Sequence, residues 1–325
     1  MELEAFSEGL TGAGFPGILS YQFSYYDPRT SDPAYEALTL ERKEFNRKLR
    51  AWSPPEWEEI GFEPAASPFG FLSRDSELTP WNSFSEGIPA LKVLPRLGIP
   101  CAFGNPNMPV VLAGEECAAF TDAELDALLR RGAVLDAPAA EVLLARGFDL
   151  GLESLERLDK LPATERHRDG TIVNVRTAEK KNSIWRAKTG KNAQIQESSV
   201  FDTGIPGVLE IITREGRRLV LMPWSFERGG LLNFSFSRQR QWYEAFAFLT
   251  DRPLPVRVAN RADIRLHLRR SPQTGELAAT VQNLSLDPFQ IDALILEPEF
   301  QPTSRLMAED GSGLILQPMQ LAVLR

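Results

Sequence analysis

Two cysteines and two histidines are all that 325 residues offer of the side chains that most often bind zinc or pair as nucleophile and base. Cys101, Cys117, His167 and His267 lie far apart, and no Cys-x-x-Cys or His-x-x-x-His spacing joins any of them. That excludes a zinc site read from spacing, and it excludes a disulfide framework, so a reducing compartment is the default. No apolar run approaches the ~20 residues of a membrane span. A basic, apolar leader is missing as well: Met1 to Phe6 carries acid where a signal peptide carries base. These absences point to a cytoplasmic chain that meets no membrane. Basic residues are in deficit too, 36 Lys and Arg against 44 Asp and Glu for a net charge of −8. Arg217-Arg218 and Arg269-Arg270 are short clusters that read as solvated faces, so a nucleic-acid partner is not expected. Phosphate loops of the GxxxxGK[ST] and GxGxxG kinds are absent, and Gly12-Ala13-Gly14 precedes a strand instead of linking strand to helix. Neither a nucleotide nor any other cofactor is implied.

What the chain does have is apolar material for cores, 43% hydrophobic against 25% charged residues, and a length that suggests roughly two or three domains. Residues 1–55 read as one βα unit. Gly17 to Phe23 is a near-continuous apolar strand, and Asp32-Pro33 starts a helix that Ser53-Pro54-Pro55 stops. Such a unit cannot cover both faces of its strand and must dock on something.

Residues 56–255 read as an open, mostly parallel α/β layer. Glu59 to Glu63, Gly98 to Phe103, Val110 to Gly114 and Ala133 to Asp136 are strand-like. Residues 64–80 are a loop, followed by a helix through Ala90 to Leu94. Thr121-Asp122-Ala123-Glu124 is a capping box opening a helix that Gly132 closes, and Pro138 to Arg146 is a helix closed by Gly147. Helices thin out after Thr171, where 171–175, 208–212 and 218–222 are strand-like, until the helix Phe236 to Thr250 with Trp242, Phe246 and Phe248 on one face. Residues 256–325 read as an antiparallel β-sandwich. Asp263 to Arg269 and Leu277 to Asn283 alternate strictly and are joined by the turn Ser271 to Gly275, and Ile291–Leu296, Arg305–Met307, Leu314–Leu316 and Leu321–Leu324 complete it.

Chemistry is harder to place. Cys101 falls within a strand and reads as a core hydrophobe, and Cys117 falls in a loop without a Gly-x-Cys-x-Gly elbow. There is no GxSxG elbow either. Asp136, at a strand end, reads as the N-cap of the next helix. Tyr21, Gln22, Tyr25, Tyr26 and Asp27 form a polar, aromatic loop after the first strand. Aromatics at such a strand end can stack on sugar faces; the same residues also suit an ordinary turn.

The run Leu97-Gly98-Ile99-Pro100, then Pro109 to Gly114, then the helix and Arg131 to Asp136, resembles the amidotransferase-like (flavodoxin-like) trimerisation domain of the β-galactosidases of glycoside hydrolase family forty-two. Asn260 to Asp263, Asn283 to Asp287 and the last strand, Gln317 to Leu324, look like that group's small β domain. The first fifty residues look like the last βα unit of its catalytic barrel. The resemblance implies a homo-oligomer and a carbohydrate ligand. It also implies that the two catalytic Glu residues, at the ends of the fourth and seventh barrel strands, match no position of this sequence. Two functions stay open: a portion of a glycoside hydrolase, or a non-catalytic carbohydrate-binding or assembly module.

Overall fold

The computed structural model describes residues 47–48, 51–54, 56–66, 88–158, 161–175, 184–227, 229–307, 315–317 and 321–325. The expected βα unit over 1–55 therefore lies almost wholly outside the described residues.

Glu59 to Glu63 is not one strand, as its sequence suggests, but two in different sheets. β1 (Glu58–Ile60) pairs antiparallel with residues 268–270, whereas β2 (Glu63–Pro64) pairs parallel with residues 110–111. Gly61 makes the turn between them at φ 155°, and a Cβ there would stand 2.2 Å from the Pro100 carbonyl oxygen. Only glycine fits a backbone crossing that close. A helix, α1 (Pro89–Val93), follows. The strand expected over Gly98 to Phe103 shrinks to a single parallel bridge, Phe62 to Cys101. The Pro100 carbonyl accepts from the Phe62 amide at 3.0 Å and the Ala102 amide donates to the Phe62 carbonyl at 2.8 Å. Pro100 has no amide with which to extend the ladder.

The next elements follow their sequence signals closely. β3 (Val110–Leu112) leads through a 3₁₀ turn at Glu115–Ala119 to α2 (Asp122–Arg130). The capping box forms: the Thr121 hydroxyl accepts from the Glu124 amide at 3.3 Å, and the Glu124 carboxylate accepts from the Thr121 amide at 2.7 Å. Gly132 ends the helix at φ 86°. β4 (Ala133–Asp136) runs directly into α3 (Ala137–Ala145).

Between α3 and the strand at Leu209–Ile212 come six short strands, of which the sequence pattern indicates only residues 171–175. These are β5 (Leu152–Arg157), β6 (Thr164–His167), β7 (Ile172–Asn174), β8 (Trp185–Thr189), β9 (Gln194–Glu197) and β10 (Ser199–Phe201). β5 pairs with β8, and β10, β6 and β7 form a three-stranded sheet in that order. The chain returns through β11 (Leu209–Ile212) and β12 (Arg218–Met222) to α4 (Phe236–Thr250). In space the sheet runs β2, β3, β4, β12, with the Cys101 bridge outside β2. All of these are parallel, and β11 and β9 add antiparallel strands at the far edge.

The remainder is β-rich: β13 (Val256–Val258), β14 (Ile264–Arg270), β15 (Leu277–Asn283), β16 (Phe289–Gln290), β17 (Leu294–Leu296), β18 (Arg305–Met307), β19 (Ile315–Leu316) and β20 (Leu321–Leu324). The expected β14–β15 hairpin closes with Arg270 opposite Leu277. A five-stranded antiparallel sheet runs β1-β14-β15-β20-β18, and β13–β17 and β16–β19 form two short ladders. Ile291 to Leu296 is a 3₁₀ turn followed by β17, not one strand.

Alternation along the parallel strands sends side chains to two cores. Val110, Leu112, Leu135, Leu219 and Leu221 face α2 and α3, meeting Leu125, Leu129, Ala140 and Leu143. Val111, Val134, Val220 and Met222 face α1 and α4. There Phe62 meets Trp242 and Phe246 edge-on, at centroid distances of 5.2 and 5.4 Å. Burying each of these rings stabilises the fold by roughly 1.5–3 kcal/mol. Leu266, Leu268, Val281 and Leu324 of the five-stranded sheet join the same core. Helices α1 and α4 are thus shared between an α/β portion and a β-rich portion.

Candidate functional site

Open parallel sheets carry their chemistry outside the carboxyl ends of the strands. Here that edge holds Asp136, the last residue of β4, fully buried. One carboxylate oxygen accepts from the Gly114 amide at 2.8 Å and from the Ala139 amide at 3.0 Å; the other accepts from the Phe226 amide at 3.1 Å. The expected N-cap is present, and the same carboxylate also ties down the segments that follow β3 and β12. Burial pushes the Asp136 carboxyl up to about 7, against the three amides and with help from the Glu227 charge.

A polar network continues from Phe226. Its carbonyl accepts from the Asn233 side chain at 2.8 Å, and Asn233 accepts from the Trp224 indole N–H at 2.9 Å. The Arg238 guanidinium lies over the Trp224 ring, 4.0 Å from its centroid. Ser235 caps α4 by accepting from the Arg238 amide, which fixes the base of that side chain. The guanidinium donates to both oxygens of Glu165, at 2.6 and 3.2 Å, to the Leu232 carbonyl at 2.9 Å, and to Gln241. Ser199 donates to Glu165 and accepts from the Val208 amide at 2.9 Å. Burial disfavours the Glu165 charge, but the Arg238 guanidinium and these hydrogen bonds outweigh it and hold the carboxyl below its usual range. His167, on the same face of β6, is kept neutral at physiological pH: burial lowers its pKa more than Glu165, 4.0 Å away, raises it. Asp136, Glu165 and Arg238 are each at most 2% exposed, so all three act on neighbouring chain and not on a ligand.

An open cleft of about 460 Å³ lies instead on the inserted strands. Ser154, Glu156, Arg186, Lys188 and Thr189 form one side, and Gly204 to Pro206 the other. Its charges are mutually engaged, Lys188 with Glu153 at 2.5 Å and Arg186 with Glu156 at 3.6 Å.

Tyr21, Gln22, Tyr25, Tyr26 and Asp27 lie outside the described residues. The cysteines exchange their expected roles: Cys117 is buried in the core within the 3₁₀ turn, and Cys101 is only partly buried. Burial nevertheless pushes the Cys101 thiol up to about 12. Among the described residues no three His, Cys, Asp or Glu side chains gather as metal ligands. The Glu165–Arg238 pair has no motif in the sequence. Its one local trace is Glu165-x-His167, whose period-2 spacing on a strand places both side chains on one face.

No protein-family model matches the chain, and no curated protein sequence matches it. Among solved structures, the chain is similar to α-L-fucosidase isoenzyme 2 from Paenibacillus thiaminolyticus, at 13% identity and TM-score 0.45, over 74% of this chain and 45% of that one. It is similar to a β-galactosidase from Bacillus circulans sp. alkalophilus, at 9% identity and TM-score 0.41, over 77% and 38%. A cold-adapted β-galactosidase from Rahnella sp. R3 aligns at 12% identity and TM-score 0.44, over 88% and 44%. The aligned region is less than half the length of each of these proteins. None of the described helices is long and apolar enough to cross a membrane.

Proposed function

We propose that this chain is an accessory and assembly portion of a carbohydrate-active glycoside hydrolase, similar to the C-terminal part of family forty-two β-galactosidases. The observation that carries this reading is the state of the α/β portion's buried acids. Glycoside hydrolysis uses two carboxyl groups about 5–10 Å apart with a sugar between them, one of them protonated. Asp136 accepts from three backbone amides, Glu165 is closed by Arg238 and Ser199, and Glu210 is paired with Arg168. All three are at most 5% exposed.

On this reading the chain divides into a barrel-type βα unit over 1–55, an amidotransferase-like layer over 56–255 and a β-sandwich over 256–325. The layer assembles copies of a cytoplasmic protein. Where a barrel completes the active site, Tyr21, Gln22, Tyr25, Tyr26 and Asp27 line its sugar site, and the chemistry is retaining hydrolysis. The closed acids equally favour a second reading, a binding or assembly module without turnover.

The test is a panel of chromogenic β-glycosides offered to the purified, monodisperse chain, with mass measured by light scattering. The expected outcome is no turnover from particles of more than one copy. Hydrolysis abolished by a single acid-to-amide substitution overturns the accessory reading. Sugar binding without turnover selects the module.

A further inference from the structure

The cleft on β5 and β8 has two fixed walls. Cross-strand register sets Ser154 opposite Lys188 and Glu156 opposite Arg186, so these side chains stand on one face of the two-stranded ribbon. The facing wall is the turn that follows β10. There the Gly204 amide donates to the Phe201 carbonyl at 2.8 Å, and the Phe201 amide donates to the Ile205 carbonyl at 2.9 Å. Both walls are hydrogen-bonded backbone, so the space of about 460 Å³ between them is shaped before a ligand arrives. Small-molecule sites commonly enclose ~300–1,000 Å³, a range that includes this cleft.

The lining selects a chemistry. Lys188 is held by Glu153 at 2.5 Å. Arg186 and Glu156 differ: they stand 3.6 Å apart, too far for a hydrogen bond, and each side chain is more than half exposed. The guanidinium therefore offers a fork of donors beside a carboxylate that offers acceptors. The two cations and two carboxylates cancel, so the cleft draws neither an anion nor a cation from a distance. An apolar guest would strip water from that pair and return no hydrogen bond. Adjacent hydroxyls meet both needs, because each can accept from Arg186 and donate to Glu156. Ser154 and Thr189 add hydroxyls on the same side, and Ile205 and Pro206 face them with C–H surface.

We propose that this cleft binds a neutral saccharide, with adjacent ring hydroxyls between Arg186 and Glu156 and the ring's C–H face against Ile205 and Pro206. The assignment rests on the cleft's own chemistry and needs neither a catalytic barrel nor turnover.

Amide chemical shifts of the full-length, deuterated chain test it, with lactose, cellobiose, maltose and xylobiose titrated separately. At least one of these is expected to shift the amides of 154–156, 186–189 and 204–207 saturably. Arg186→Ala and Glu156→Ala should each weaken that binding at least about tenfold, the loss of a hydrogen bond to a charged group. Amides away from the cleft should keep their wild-type shifts in both variants, and either variant alone decides should the other not fold. No saturable shift at these amides with any of the sugars overturns the proposal, as do shifts confined to other residues. Unchanged affinity in the variants also overturns it. So does tighter binding of galacturonate than of galactose, which would mark an anion site. Turnover and particle mass, which test the assembly reading, are measured separately, so either proposal can fail alone.

Discussion

Replacing Arg238 with methionine isolates the energetic centre of the polar network. Methionine keeps an apolar stem against Trp224 but removes the guanidinium, leaving Glu165 with its charge buried and only Ser199 as a donor. Breaking a buried pair by removing one partner typically costs about 3–5 kcal/mol, most of it the uncompensated charge. The Leu232 carbonyl and the Gln241 side chain lose a donor as well, so the upper half of that range is expected. Urea unfolding at pH 7, followed by tryptophan fluorescence, should show a midpoint lowered by at least about 1 M. Arg238→Met combined with Glu165→Gln should regain at least about 2 kcal/mol of that loss, because the stranded charge is gone. The pair also has a pH signature. The Glu165 carboxyl is held below its ordinary 4.5, so its contribution is complete above that value and disappears as pH falls through the folded pKa. A loss below about 1 kcal/mol for Arg238→Met, or strictly additive effects in the double variant, would refute the argument that this pair is electrostatically isolated from water.

Other perturbations follow from the same geometry. Because the Asp136 carboxyl rises from 3.8 to about 7 on folding, stability should be full below the lower value and fall as pH rises toward the upper. Asp136→Asn should flatten that slope in urea midpoints measured from pH 4 to 8, and an unchanged slope contradicts the assignment. Asp136→Ala strands three amides, and denaturation should report a loss of about 3–6 kcal/mol, the cap contributing about 1 of these. Gly61→Ala forces a Cβ toward the Pro100 carbonyl and should cost at least about 2 kcal/mol; a variant as stable as wild type means the crossing is looser than described. With the Cys101 thiol at about 12 and Cys117 in the core, a thiol reagent at pH 8 should label neither in native protein and both in urea. Fast native labelling contradicts that burial.

The elements legible in the sequence are those whose signals are local. The Thr121 capping box, the Asp136 cap, Gly132 and Gly147 after their helices, and the alternation of β14 and β15 each act within a few residues. The α4 helix is legible from its aromatic face, and its bounds match the expectation. The inserted strands are mostly not legible because they are short and largely polar, and only β8 alternates clearly. β5 reads Leu-Glu-Ser-Leu-Glu-Arg, a helix-like pattern overridden by pairing with β8 some thirty residues on. Glu59 to Glu63 looks like one strand because nothing local says that the chain changes sheets at Gly61; the Pro100 carbonyl decides it from outside. The Glu165–Arg238 pair spans 73 residues and joins two elements whose meeting only the fold specifies. The cysteines depart from their expected places because Cys101 sits on a single bridge beside β2, whereas Cys117 lies in a turn packed against α3. The loop from Tyr21 to Asp27 falls outside the described residues.

The crossing at Gly61 has a consequence for heredity. Within seven consecutive residues, Glu58 to Pro64, the chain gives an edge strand to the β-rich sheet and another to the parallel sheet. A gene cut anywhere between them and residue 256 would deliver one sheet without its border strand, leaving β14 with a bare edge open to foreign pairing. The two sheets can be duplicated, swapped or grafted only as a stitched pair, so shuffling in nature or at the bench has to keep this short stretch with both.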